Sequence, residues 1–174
     1  MNEPNRSQNS ILTALIPLSA DSPTIGHADL LKSACQIFPK VYWSIGINPD
    51  KNYLFSSAQR QEMLQCYVDY LELNDQVIIT DYQGSTVQYA DSIGVSIMLK
   101  GVRNSIDFQY ELDQASANQR INPKVSTLFL PTKPELSFIS SSLVRRHIAL
   151  KLSFDEYVIT SIQDHIKKWL SSNE

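Results

Sequence analysis

The sequence has little cysteine and no excess of positive charge, and each shortage excludes a class of protein. Its 174 residues include only Cys35 and Cys66, in no CxxC or Cys/His spacing, so we expect reduced thiols and no metal site. The formal charge of −3 argues against a nucleic-acid partner, which needs a basic face. No run approaches the ~20 apolar residues of a membrane span, so no membrane partner is expected.

Common motifs of phosphate and acyl chemistry are also missing. The chain has no GxxxxGK[ST], GxGxxG or GxSxG, which excludes an ordinary P-loop, a dinucleotide fingerprint and a nucleophile elbow. Its 43% hydrophobic and 19% charged residues are typical of a globular protein with a real core. We expect one domain over residues 11–174, after a disordered extension over residues 1–10. Because that extension shows no signal-peptide pattern, a cytoplasmic location is expected.

Short apolar runs alternate with segments of helical period along the chain. The strand-like runs are Ile11–Ile16, Val41–Ile47, Gln76–Thr80, Ser96–Leu99 and Val125–Leu130. The helical patterns cover Leu30–Phe38, Ser57–Leu73, Thr86–Ile93, Asn104–Asn118, a segment from Ser141, and Asp155–Leu170. This alternation predicts an α/β fold, a doubly wound five-stranded parallel sheet with helices on both faces.

Five loops that each follow a predicted strand carry the polar residues of interest. They are Thr24–His27, Asn48–Lys51, Tyr82–Gly84, Lys100–Arg103 and Ser140–Ser142. Because the carboxyl ends of parallel strands share one edge of the sheet, these loops are expected to meet there. Two of them begin helices, whose first N–H groups and dipole suit a bound phosphate. The pattern therefore favours a nucleotide-binding protein.

Each candidate residue also has a structural alternative. His27 follows a glycine at a helix start, where it donates to a phosphoryl oxygen or, with Thr24, caps the helix. Lys51 and Arg103 either bind phosphate or are solvated surface cations. The serines Ser140–Ser142 either bind phosphate or supply an N-cap. Convergence of the loops is the observation that favours the functional alternatives.

The order of the motifs resembles one enzyme family. The sequences TIGH at 24–27, NPDK at 48–51, GVR at 101–103, DFQYE at 107–111 and FISSSLV at 138–144 resemble those of phosphopantetheine adenylyltransferases. The resemblance implies a Rossmann-like nucleotidyltransferase fold and transfer of AMP from ATP to 4′-phosphopantetheine, giving dephospho-CoA and pyrophosphate in coenzyme A biosynthesis. It also implies Mg²⁺ as cofactor and a homo-oligomer, hexameric in the family.

The same resemblance implies roles for particular residues. The catalytic residues would be His27, Lys51 and Ser19. The ATP-binding residues would be Ser19, Thr24, Gly26, His27, Gly101, Arg103, Glu111, Ser140, Ser141 and Ser142. The acceptor-binding residues would be Ser19, Lys51, Ser85, Thr86, Lys100 and Asn118.

Several positions depart from the family pattern. Leu18 stands where the family has glycine, and Ala20 and Ser22 replace phenylalanine and proline in the first loop. Ser85 and Thr86 are polar where the family has leucines that face the acceptor. Two alternatives therefore stay open: a related nucleotidyltransferase with another phosphorylated acceptor, or a catalytically impaired nucleotide-binding paralogue.

Overall fold

The predicted parallel sheet is confirmed by a computed structural model that describes residues 12–171. The five strands are β1 (Thr13–Leu18), β2 (Lys40–Ile47), β3 (Val77–Gln83), β4 (Ile97–Val102) and β5 (Ser126–Pro131). The helices are α1 (Ile25–Ile37), α2 (Ser57–Tyr70), α3 (Thr86–Ser92), α4 (Ser105–Ile121), α5 (Ser141–Ala149) and α6 (Thr160–Ser171), with a 3₁₀ turn at Pro134–Leu136. The predicted extension over residues 1–10 lies outside the described residues.

The strands run in the order β3-β2-β1-β4-β5 and all pair in parallel. Strands β1 and β2 pair in register from Thr13 with Lys40 to Leu18 with Ile45. Strands β1 and β4, by contrast, are registered only at Leu15 with Met98. The strand order reverses between β1 and β4, and ligands of open α/β sheets bind at the carboxyl ends of strands beside such a reversal.

Both faces of the sheet are covered by helices, as the apolar strands predict. Alternate residues of β1 point to opposite faces, so Ala14 and Ile16 belong to a core with α1, α2 and α6. Leu15 belongs to a second, smaller core with α3 on the other face. The carboxyl ends of the strands, where the predicted functional loops begin, therefore lie at one edge between these two layers.

The last helix is shorter than the sequence predicts. The pattern suggested Asp155–Leu170, but α6 begins at Thr160. The carbonyl of Tyr157 accepts the N–H of Ile25, the first residue of α1, at 3.0 Å. The Tyr157 carbonyl therefore accepts a hydrogen bond from outside its own helical segment. The N–H of Ile25, which has no acceptor within α1, is thereby paired. Among residues 12–171, no helix combines the length and apolar character needed to cross a membrane.

Candidate active site

The five predicted loops converge on one cleft of about 560 Å³ at the carboxyl ends of the strands. His27, Lys51, Tyr82, Arg103 and Ser140 represent the five loops among its lining residues. The imidazole and the serines therefore share one site, as the sequence predicts. Strands β1 and β4 are paired at one position only, Leu15 with Met98. Leu18 and Ser19, at the carboxyl end of β1, line the cleft beside these two strands.

Most of the predicted site residues line this cleft. They are Ser19, Thr24, Gly26, His27, Lys51, Thr86, Lys100, Gly101, Arg103, Glu111, Asn118, Ser140 and Ser141. Ser85 and Ser142 are absent from the lining. Ser85 is the N-cap residue of α3, and the Ser142 hydroxyl accepts from Nη2 of Arg145 at 3.1 Å. The structure thus places these two side chains beside the cleft rather than in its wall.

The orientation of His27 is set by the start of α1. The backbone N–H of Thr24 donates to Nδ1 of the ring at 3.1 Å, and the Thr24 hydroxyl lies 2.8 Å from the same nitrogen. Because a backbone N–H can only donate, Nδ1 is the acceptor and the ring proton resides on Nε2. The helix-capping and functional alternatives for His27 are therefore compatible, since each uses a different nitrogen.

The ring is also held uncharged. Burial, and after it the positive charge of Arg103, lowers the pKa of His27 from 6.5 to about 4. Both causes disfavour an imidazolium. At neutral pH His27 is therefore a neutral Nε2–H donor that lines the cleft, and it suits hydrogen bonding better than proton transfer.

Two cations of the cleft are paired with carboxylates one turn apart on α4. Nη2 of Arg103 lies 3.0 Å from Oδ1 of Asp107, and Nε lies 3.2 Å from Oδ2. Hydrogen bonding from Arg103 lowers the pKa of Asp107. Nζ of Lys100 lies 3.3 Å from Oε2 of Glu111. The carboxylates fix the positions of both cations. In the second pair, Lys100 is a predicted acceptor-binding residue and Glu111 is a predicted ATP-binding residue.

Lys51 differs from these cations. Over the part of the chain that the structure describes, its ammonium has no ion-pair or hydrogen-bond partner. Its backbone N–H donates to the carbonyl of Asn48 at 3.1 Å, which closes a tight turn after β2. The charge of Lys51 is therefore available for a ligand, at a position that its backbone fixes.

A buried aspartate braces the first loop. The carboxylate of Asp21, 2% exposed, accepts the N–H groups of Leu54 and Phe55 at 3.1 and 3.0 Å. Arg145 of α5 approaches the same carboxylate at 3.6 Å and also donates to the Asp21 carbonyl. Asp21 thus connects the first loop to the loop before α2 and to α5, although the sequence predicted no role for it.

Two of the serines at the start of α5 make hydrogen bonds within the protein, one as the helix cap and one to the first loop. Ser140 accepts the N–H of Leu143 at 3.1 Å and is the N-cap of α5. The Ser141 hydroxyl donates to the Ser22 carbonyl at 2.7 Å, which ties the first loop to this helix. With these hydroxyls engaged, the unpaired N–H groups of the first turn are the stronger candidates for phosphate binding.

A further arginine supports the site from behind. Arg60 of α2 is 2% exposed, and its Nη1 donates to the Ser19 carbonyl at 2.8 Å. Its guanidinium lies 4.0 Å from the centre of the Tyr53 ring. The Tyr53 hydroxyl accepts the N–H of Asn48 at 3.0 Å, so Arg60 links Ser19 to the turn that carries Lys51. Sequence reasoning missed Arg60 because a cation within a helix ordinarily faces solvent.

The lining includes two carboxylates, and both are engaged. Asp107 binds Arg103 and Glu111 binds Lys100. Among residues 12–171, no group of three or more His, Cys, Asp or Glu side chains is arranged to hold a metal ion. The side chains of the cleft therefore do not fit a resident Mg²⁺ site.

Comparisons with known proteins identify the family of this chain. The cytidylyltransferase-like family model matches residues 19–147. A phosphopantetheine adenylyltransferase from Natranaerobius thermophilus is 36% identical over 155 residues, which cover 88% of this chain and 93% of that protein. One from Thermosynechococcus vestitus is 37% identical over 134 residues, covering 77% of this chain and 78% of that protein.

The fold is also shared with a solved structure. Plasmodium falciparum nicotinic acid mononucleotide adenylyltransferase complexed with NaAD has a TM-score of 0.66 to this chain at 14% identity. The match covers 90% of this chain and 95% of the other. At that identity the likeness concerns the fold alone.

Proposed function

Because the chain belongs to the phosphopantetheine adenylyltransferase family of nucleotidyltransferases, we propose that it transfers AMP from ATP to 4′-phosphopantetheine, releasing pyrophosphate and dephospho-CoA. The family resemblance predicted from the motifs is confirmed by these relatives. One observation carries the proposal to this chain: a neutral imidazole donor lines the same cleft as the Lys51 ammonium, which has no partner among residues 12–171. This pair suits a reaction in which two phosphate groups must be brought together and stabilised.

The reaction needs no covalent intermediate on the protein. An oxygen of the acceptor phosphate forms a bond to the α-phosphorus of ATP, and the bond from that phosphorus to the bridging oxygen of the β-phosphate breaks. The bonding electron pair leaves with pyrophosphate. Positioning and charge stabilisation supply the catalysis in such a transfer. Nε2–H of His27 would donate to an α-phosphoryl oxygen as its charge grows.

The nucleotide half of the cleft lies around His27. Arg103 would bind the outer phosphates through its planar guanidinium, which Asp107 already orients. The first turns of α1 and α5 would add backbone N–H groups from Gly26 and from Ser141 and Ser142. Ser19, Thr24, Gly101, Glu111 and Ser140 complete the proposed ATP-binding set.

The acceptor half lies around Lys51. Its ammonium would bind the acceptor phosphate and reduce the repulsion between that phosphate and the nucleotide. Lys100 would supply a second positive charge, and Ser19, Thr86 and Asn118 would line the remaining wall. Ser85, which lies outside the lining, would act only through the start of α3.

We propose that Mg²⁺ enters as part of the nucleotide substrate. Mg²⁺ is commonly bound by substrate phosphates and water with few protein ligands. The engagement of Asp107 and Glu111 by cations supports this mode over a resident site. A cytoplasmic location is likewise proposed, on the basis of the family's biosynthetic role.

A second copy of the chain is proposed to cover the outer face of α4. This helix has no buried residue over its 17 residues, and Ile106 is 82% exposed. Tyr110 and Ile121 lie on the same side of the helix as Ile106 and are 63% and 57% exposed. Exposed apolar patches mark protein–protein interfaces in many proteins. The family resemblance favours a homo-oligomer, hexameric as in the family.

The direct test is a pyrophosphate-release assay with MgATP and 4′-phosphopantetheine, with the product identified by mass spectrometry. We expect stoichiometric pyrophosphate and dephospho-CoA. Omission of either substrate provides the control. Absence of release at saturating substrates would overturn the proposed activity, and faster release with another phosphomonoester would reassign the acceptor.

A further inference from the structure

One part of the cleft wall carries two hydroxyl groups in contact. Oη of Tyr82 and Oγ1 of Thr86 lie 2.8 Å apart, and both residues line the cleft with Gly46 and Lys51. Neither hydroxyl has another hydrogen-bond partner among residues 12–171. The pair therefore belongs to the part of the cleft that holds the proposed acceptor-binding lysine.

The position of the Tyr82 ring is fixed by its neighbours. The ring stacks on Tyr89 with centres 4.5 Å apart and planes within 5°. Gly46 leaves the room that the phenol occupies, since a Cβ there would lie 3.0 Å from Oη of Tyr82. The Tyr89 hydroxyl is itself bonded to Thr80 at 2.7 Å. A ring held in this way presents its hydroxyl at a defined point.

The pair has hydrogen-bonding capacity to spare. When one hydroxyl donates to the other, the second still has a proton to donate. A tyrosine phenol is protonated at neutral pH, and burial raises the pKa of Tyr82 further. An apolar ligand that displaced water from this wall would leave that donor unpaired, which is unfavourable. A ligand with a carbonyl or hydroxyl oxygen would pair with it.

We propose that Tyr82 and Thr86 are specificity-determining residues that select an acceptor whose arm carries a hydrogen-bond-accepting oxygen. The inference rests on the proposed function, because it concerns the acceptor half of the same cleft. The arm of 4′-phosphopantetheine bears a hydroxyl and amide carbonyls, so it satisfies this requirement. The sequence placed Tyr82 in one of the five converging loops but indicated no role for it in acceptor binding.

The test deletes single oxygens and measures both substrates. Tyr82→Phe and Thr86→Val each remove one hydroxyl with little change in size, while Thr86→Ser keeps the hydroxyl. Tyr70→Phe is the matched control, because it removes a phenol hydroxyl from an exposed residue of α2 that is absent from the cleft wall. We expect the KM for 4′-phosphopantetheine to rise about 3- to 10-fold in the first two variants, the range of one neutral hydrogen bond. The KM for ATP should stay unchanged.

Recovery in Thr86→Ser and an unchanged acceptor KM in Tyr70→Phe would support the assignment. An acceptor KM that stays constant or falls in both Tyr82→Phe and Thr86→Val would overturn it, as would an equal rise in the KM for ATP. These results differ from failure of the proposed function, which would appear as no turnover of 4′-phosphopantetheine by the unaltered chain. That last result would overturn the inference together with the function.

Discussion

The backbone N–H of Thr24 donates to Nδ1 of His27 over 3.1 Å, and this bond determines which ring nitrogen carries the proton. A histidine in the first turn of a helix would otherwise be free to present either nitrogen. Here the start of α1 leaves Nε2–H for the cleft, while burial and Arg103 keep the ring neutral. A fixed neutral donor is suited to charge that develops on a phosphoryl oxygen during transfer.

His27→Ala is expected to lower kcat by about 10²- to 10³-fold, the usual cost of removing one donor to a developing oxyanion. The affinity for ATP should change much less, because the bond strengthens mainly in the transition state. Single-turnover kinetics and calorimetric titration with ATP measure the two quantities. His165→Ala is the control, since His165 lies on α6 outside the cleft. Equal losses in ATP affinity and kcat/KM would contradict this role.

The lowered pKa of His27 predicts that the free energy of unfolding falls in acid. The pKa of His27 is 6.5 in the unfolded chain and about 4 in the folded protein. Between these values the unfolded chain binds a proton that the folded chain excludes, so His27 reduces stability progressively as the pH falls through this window. In chemical denaturation across it, His27→Gln should lose less stability than the unaltered chain. Carboxylates titrate in both proteins, so identical pH dependences would refute the prediction.

Lys51→Met is expected to raise the KM for the acceptor and lower kcat, with kcat/KM falling about 10- to 150-fold, the range of one charged hydrogen bond. The reason is that, among residues 12–171, the Lys51 ammonium is not paired with a carboxylate, in contrast to Lys100. Lys167→Met is the matched control, because Lys167 pairs with Asp155 at the surface. Steady-state kinetics with each substrate varied would decide, and similar losses in both variants would contradict the assignment.

Arg60→Met is expected to lower the free energy of unfolding by about 1.5–3 kcal/mol, since a buried charged hydrogen bond to the Ser19 carbonyl is lost. Because Arg60 also contacts the Tyr53 ring, Ser19 and the Lys51 turn should lose their relative positions, and kcat should fall. Urea denaturation and kinetics measure the two effects. Arg60→Lys should retain part of both, and a variant with full stability and activity would remove this role.

Much of the fold could be predicted because short apolar runs and helical periods are local properties of the chain. The start of α6 could not, since the Tyr157 carbonyl bonds to Ile25, more than 130 residues away along the sequence. The predicted strand over residues 76–80 also proved longer, because β3 continues through Asp81 and Tyr82 in register with β2. Pairing with a neighbouring strand, rather than hydrophobicity, sets that end.

A residue's position in the cleft was predictable where it follows from its loop and unpredictable where it follows from a tertiary contact. Thr24 and His27 belong to a recognisable helix start, and their loop placed them correctly. Arg60 reads as a surface cation, yet it is buried against Tyr53. Ser85 and Thr86 are adjacent and equally polar, but only Thr86 lines the cleft, because successive residues at a helix start point in different directions.

The exposed face of α4 leads to a prediction about assembly. Ile106→Glu should shift the chain towards monomers, because it places a charge in the centre of the proposed self-association surface. Light scattering after size-exclusion chromatography over a concentration series measures the mass. Leu150→Glu is the control, since Leu150 is also exposed, at 60%, but follows α5. A monomeric unaltered chain, or an unchanged oligomer in Ile106→Glu, would show that α4 does not form the interface.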